Sequence, residues 1–131
     1  MTTPIRVQRK RTKGWQAPLC GCGCDKPARY VGRGSSWGNP VRVARDEHGE
    51  WLVIYPNGMW RSAPDRREAA FQAVSEYRGL RYLSGLDGER NVLIARTELG
   101  GHDLMCWCPL DQSCHADVLL RVANSTGDYR G

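Results

Sequence analysis

Six cysteines held in two tight groups constrain this chain more than any other feature of its 131 residues. One group is Cys20-Gly21-Cys22-Gly23-Cys24, and the other is Cys106-Trp107-Cys108 followed by Cys114-His115. In a reducing compartment, clustered thiols are metal ligands more often than disulfide partners. A fold for this chain must therefore gather the sulfurs within each group. The charged N-terminal segment has no apolar stretch behind it, unlike a secretory signal. The longest apolar run, Trp51-Leu52-Val53-Ile54-Tyr55, falls far short of the roughly 20 residues of a membrane span. The expectation is a cytoplasmic protein with no membrane partner.

With 40% hydrophobic and 25% charged residues, the chain suits one folded domain. Arg6, Arg9, Lys10, Arg11 and Lys13 place five positive charges in the first 13 residues, so the whole net charge of +5 resides there. Residues 1–13 read as a flexible basic arm, able to bind phosphate backbones by releasing counterions or simply to stay solvated. A single domain over residues 14–124, with the Cys-rich insert at 20–24, and a loose tail at 125–131 complete the layout.

The expected fold class is mixed α/β. Ile5 to Val7 and Tyr30-Val31 are short strand candidates, and Gly32 to Pro40 is a glycine-rich loop. Val41 to Arg45 alternates with period two, and Trp51 to Tyr55 is a second strand. Asn57-Gly58 signals a type I′ hairpin into Met59-Trp60-Arg61, giving an antiparallel meander. Ser62 with Asp65, and Pro64 in a first turn, predict a helix carrying Ala70, Ala73, Val74 and Tyr77 on one face. A second helix is expected from about Asp87 to Leu99, stopped by Gly100-Gly101. Asp103 to Cys108 reads as a buried strand, Pro109 to Gln112 as a turn, and Ser113 as N-cap of a last helix through about Asn124.

On a strand, Cys106 and Cys108 share a face, and the next residues allow Cys114 and His115 to return to it. Cys106, Cys108, Cys114 and His115 form a chemically reasonable tetrahedral zinc set, although the spacing supports proximity more strongly than a metal. The same cluster permits thiol chemistry, with Cys108 or Cys114 as nucleophile, His115 as base and Asp117 beside them in the first helical turn. A buried Cys-rich strand and a capped helix with no chemistry is the third alternative. Cys20, Cys22 and Cys24 can wrap a second metal whose fourth ligand is His48, His102 or a member of the other cluster in one shared site, or form a flexible loop of inert thiols. In the loop, the Gly32 and Gly34 backbone, the Arg33 guanidinium and the Ser35 hydroxyl suit an anion, and Trp37 offers a stacking face beside Asn39; the alternative is a structural turn with Trp37 in the core.

Tyr30-Val31-Gly32-Arg33-Gly34-Ser35 with Trp37-Gly38-Asn39-Pro40 is similar to the opening motif of a domain-of-unknown-function family of bacteria, notably actinobacteria, and their phages. That family closes with a glycine-led strand and a Cys-Trp-Cys turn before Cys-His-x-Asp-x-Leu, matched by Gly101, Leu104, Cys106, Trp107, Cys108, Cys114, His115, Asp117 and Leu119. The resemblance covers roughly residues 5–124 and excludes the Cys20–Cys24 insert. It implies one intact domain in which both motifs meet, in the host cytoplasm if a phage encodes it, and no established activity.

Two function classes follow. One is a metal-binding domain, enzymatic or not, holding a nucleotide or nucleic acid between the Gly32–Pro40 loop and the Cys106–Asp117 turn. In that reading Arg33 and nearby backbone hold an anion, Trp37 packs beside it, and His115 with Asp117 faces the recognised group. The other is a zinc-stabilised module that contacts nucleic acid or a host protein through its basic arm.

Overall fold

Leu104-Met105-Cys106 is buried along its whole length, and its partners come from distant parts of the chain. The computed structural model describes residues 3–127 and Tyr129. Residues 1–2 of the expected arm and 128, 130 and 131 of the expected tail lie outside the described residues. Elements run β1 (Arg6–Gln8), β2 (Arg29–Tyr30), β3 (Arg42–Arg45), β4 (Trp51–Ile54), β5 (Trp60–Ala63), α1 (Arg66–Tyr82), α2 (Gly85–Leu99), β6 (Leu104–Cys106) and α3 (His115–Ala123). The fold is mixed α/β, as expected. Among the described residues, no helix is long and apolar enough to cross a membrane.

Two three-stranded sheets organise the chain. In one, β6 lies between β1 and β2, parallel to both, with Val7 opposite Met105 and Tyr30 opposite the same residue on the other side. Parallel strands need covered faces. Leu104 and Cys106 of β6 accordingly pack in a core with Val31, Tyr77, Leu99, Leu119 and Val122. The other sheet is the expected meander β3-β4-β5, with Val43 opposite Val53 and Ile54 opposite Trp60. Its apolar face, Val41, Val53 and Ala63, meets Ala69 and Ala73 of α1. The same helix places Tyr77 and Tyr82 in the first core, so α1 joins the two.

Several local expectations are corrected by competing chemistry. The β4–β5 turn is not type I′, because Asn57 has no positive φ and only Gly58 is left-handed, at φ +89°. Pro56, which would flank a type I′ turn on Asn57-Gly58, has no N–H to donate to the Met59 carbonyl, so the turn becomes a three-residue loop closed by Tyr55. Gly58 N–H donates to the Tyr55 carbonyl at 2.9 Å, and Tyr55 N–H donates to the Met59 carbonyl at 2.8 Å. The N-cap of α1 is Asp65, whose carboxylate accepts the Glu68 N–H at 2.8 Å, while Ser62 belongs to β5. The N-cap of α3 is Cys114 rather than Ser113. The strand expected over 103–108 ends at Cys106, where Arg9 N–H makes the last ladder bond to the Cys106 carbonyl at 2.7 Å. Within the basic segment 1–13, residues 6–8 are β1, and Arg9 and Arg11 lie over aromatic rings.

Asp103 fastens the start of β6 to two other segments. Buried at 8% exposure, its carboxylate accepts the Ile5 N–H at 2.9 Å and the Gly21 N–H at 2.8 Å. Asp103→Ala removes both acceptors, and hydrogen bonds to a charged group are worth about 1.5–3 kcal/mol each. Chemical denaturation of the variant is expected to show a loss of about 2–4 kcal/mol. A loss below about 0.5 kcal/mol would mean the carboxylate fastens nothing.

Candidate metal centres and the adjoining cleft

The first cluster is built at the tip of a tight loop. Leu19 bridges Pro27, and Cys20 N–H donates to the Lys26 carbonyl at 2.8 Å, which closes the loop. Inside it the chain turns through left-handed Gly23 at φ +87° and Asp25 at φ +61°, curling the three sulfurs inward. The fourth donor is His102, which α2 and its glycine stop deliver to the same point. Its Nδ1 lies 3.7 Å from Cys20 Sγ and 3.3 Å from Cys22 Sγ. The ligand atoms of Cys20, Cys22, Cys24 and His102 all lie within 4.8 Å of one another. A tetrahedral zinc with Zn–S of about 2.3 Å sets its donors about 3.7 Å apart, so this group matches a closed centre. Of the alternatives raised by the sequence, His48 is excluded: it is exposed and sits 3.5 Å from Glu47.

The second cluster forms at the other end of β6. Cys106, Cys108 and Cys114 bring their sulfurs within 4.8 Å of one another, and Cys106 and Cys114 Sγ are 3.0 Å apart. Because β6 ends at Cys106, strand alternation is not what aligns Cys108. The turn is shaped instead by Arg6 of β1, whose side chain is only 8% exposed. Its Nη2 donates to the carbonyls of Pro109, Leu110 and Gln112 at 3.3, 2.8 and 2.9 Å. Its Nη1 faces the Asp117 carboxylate at 3.3 Å. One guanidinium thus fixes the five-residue return from Cys108 to Cys114 and the first turn of α3. His115 follows the cluster, with Nδ1 3.7 Å from Cys114 Sγ and Nε2 2.6 Å from the Val31 carbonyl. A proton on Nε2, donated to that carbonyl, leaves the Nδ1 lone pair on the cluster side, the arrangement typical of ligating histidines.

Each thiol trio shares its protons unequally. Hydrogen bonds from Cys106 and Cys114 draw Cys108 down to about 3, and the same exchange with Cys108 and Cys114 pushes Cys106 far up. In the loop cluster, Cys24 accepts from Cys22 and falls to about 7, while Cys22 rises to about 11. Both clusters thus favour a thiolate that the remaining thiols support, the starting point for capturing a soft divalent ion. Burial works to lower His115, but its contacts with Cys114 and the Val31 carbonyl reverse this and its pKa is raised. Asp117 is also raised, because burial outweighs the attraction of Arg6.

A cleft of about 720 Å³ opens beside the second cluster, lined by Cys106, Cys108, Cys114 and His115 on one side and by Gly32, Arg33, Gly34 and Asn39 on the other. The two sequence motifs therefore share one cavity, joined directly by the His115–Val31 hydrogen bond. Four arginines, Arg11, Arg33, Arg42 and Arg66, line it and no Asp or Glu does. Not every candidate residue faces the cleft. Ser35 Oγ turns inward to donate to the Gly32 carbonyl at 2.6 Å. Trp37 packs on the core, and its carbonyl accepts the Tyr77 hydroxyl at 2.9 Å. Asn39 does line the cleft, but its Nδ2 is engaged by the Ala73 carbonyl at 3.0 Å, anchoring the loop to α1. Asp117 faces Arg6 and is not part of the lining. Sequence reasoning missed Arg6, counted there as arm charge, and Asp103. Period-two spacing in Ile5-Arg6-Val7 was the available signal for Arg6, since it sets Arg6 on the face opposite its apolar neighbours.

Second-layer partners of metal ligands are typically worth 10–100-fold in metal affinity. Arg6→Lys keeps the charge and loses the planar fork, so it is expected to weaken metal retention at Cys106/Cys108/Cys114 by about tenfold or more. Retention at Cys20/Cys22/Cys24/His102 is expected to be unchanged. Chelator competition on Arg6→Lys, read against Cys22→Ser and Cys108→Ser chains, separates the two. Equal weakening at both clusters would assign Arg6 a general structural role.

No curated protein and no solved structure matches the chain. Residues 7–125 match the model of a domain of unknown function, DUF4326, a span that takes in both motifs, both cysteine clusters and the cleft between them. The chain is a member of the DUF4326 family.

Proposed function

We propose that this chain is a zinc-binding domain whose arginine-lined cleft holds the phosphate of a nucleotide or nucleic acid. The observation that carries the reading is the composition of the cleft: Arg11, Arg33, Arg42 and Arg66 with no carboxylate to neutralise them. Among the described residues the only carboxylate ion pairs are Arg6–Asp117 and His48–Glu47, so no described carboxylate pairs with these four cations. A guanidinium fork matches phosphate geometry and binds it bidentately.

Zinc is favoured by the donor sets. Cys20, Cys22, Cys24 and His102 make a closed Cys₃His group, the composition of structural zinc sites. Cys106, Cys108 and Cys114 supply three thiolates; His115, whose Nδ1 lies 3.7 Å from Cys114 Sγ, falls outside the group whose ligand atoms all lie within 4.8 Å of one another. A lone nucleophile would need one activated thiol; three converging sulfurs fit a metal better. Free thiols in both clusters suit a reducing bacterial cytoplasm. The basic-arm reading and the cleft reading converge, since Arg11 lines the cleft itself and Arg9 stands over Trp107, which also lines it.

Thermal-shift titration of zinc-loaded protein tests the phosphate site. A nucleoside monophosphate is expected to raise the melting temperature where the matching nucleoside does not. Arg33→Ala is expected to weaken the monophosphate about tenfold, the value of one charge-assisted contact. Equal shifts by nucleoside and monophosphate, insensitive to Arg33, would refute the reading.

A further inference from the structure

Both tryptophans that line the cleft carry paired guanidiniums. Trp107 has Arg9 and Arg11 at 5.0 and 4.8 Å from its ring centre. Trp51 has Arg45 and Arg66 at 5.3 and 5.9 Å. Tyr30 also lines the cleft, with Arg9 5.0 Å from its ring centre. The platforms come from separate parts of the fold: Trp107 follows β6, whereas Trp51 opens β4 of the meander. With Arg33 and Arg42 in the same lining, six arginines line or flank one cleft. One phosphate needs one or two of them.

Resting on the reading of the cleft as a phosphate site, we propose that its ligand is a single nucleic-acid strand several nucleotides long. The bases stack on Trp107 and Trp51, and the backbone runs along the arginines. An indole face that attracts a guanidinium also stacks a base, and the displaced guanidinium remains within reach of the neighbouring phosphate. A duplex is disfavoured because its bases already stack on one another and offer only their edges in the grooves. An acidic peptide would satisfy the arginines and leave the aromatic faces with no planar partner. Specificity for sequence is not expected, since every base has a face to stack.

The test is fluorescence anisotropy of labelled oligothymidine and oligouridine binding to the zinc-loaded full chain. Lengths run from one nucleotide to about twelve, spanning the site sizes usual for single-strand binders. Affinity is expected to climb from the mononucleotide to a plateau at about four to eight nucleotides. If the four cleft arginines each neutralise one phosphate, log affinity falls with log salt at a slope of about −3. The thymidine and uridine arms separate DNA from RNA. Trp51→Ala is expected to weaken the long oligomers about tenfold. Because Trp51 packs on the meander core, Arg42→Glu, at an exposed position, serves as the second variant. It is expected to weaken them at least tenfold with an unchanged circular dichroism spectrum. A mononucleotide that binds as tightly as the longest oligomer, a duplex that binds as tightly as the single strand, or polyglutamate that competes equally would overturn the proposal. Absence of all salt-dependent binding, the mononucleotide included, would instead overturn the phosphate reading beneath it.

Discussion

A buried strand three residues long, β6, sets the position of both cysteine clusters in this chain. It takes ladder bonds from β1 and β2 on its two edges, and its side chains are buried on both faces. Neither edge nor face is left for solvent, so chemistry is confined to the strand's two ends. His102 and Asp103 stand at one end with the Cys20–Cys24 loop, and Cys106 stands at the other with Cys108 and Cys114. Cys106 lies four positions after His102, an extended span of about 13 Å. The thiol groups are therefore two centres on one rod rather than a single shared site.

Electrostatics explains why the second centre needs β1. Three thiolates around a divalent ion carry a net charge of about −1, and here they sit where Cys106 and Cys114 are 1% exposed. An isolated charge in such surroundings is costly unless it is paired and hydrogen-bonded. Arg6 places a positive charge that favours the Cys108 thiolate, partly offset by Asp117 at 3.3 Å, while its Nη2 satisfies three carbonyls of the turn. The same side chain therefore shapes the ligand turn and balances it. The cleft arginines, by contrast, have no carboxylate among the lining residues, and that surplus is what an anionic ligand would neutralise.

How much of this was legible in the sequence depended on how local the cause was. The meander could be read because period-two alternation in Val41 to Arg45 and Trp51 to Tyr55 is a local property. The turn type was misread because Pro56, one residue outside the Asn57-Gly58 signal, decides the backbone. The start of α1 was misplaced because Ser62 and Asp65 both suit a cap, and only pairing of Trp60–Ala63 with β4 consigns Ser62 to a strand. The grouping of cysteines was plain from their spacing, and His102 was among the fourth donors considered. The role of Arg6 was hidden because it depends on parallel pairing across nearly a hundred residues. Such non-local pairing leaves no trace in composition or period. Trp37, in a glycine-rich loop, suited either a stacking face or the core; it packs on the core, and its carbonyl accepts the Tyr77 hydroxyl.

Metal stoichiometry tests the central claim most directly. Native mass spectrometry of protein purified without chelator is expected to show two zinc ions per chain. Cys22→Ser and Cys108→Ser should each lose one ion, and the double variant both. A metal-free chain that folds with equal stability, or a chain that binds one ion in total and loses it on either substitution, would contradict two separate centres at the ends of β6.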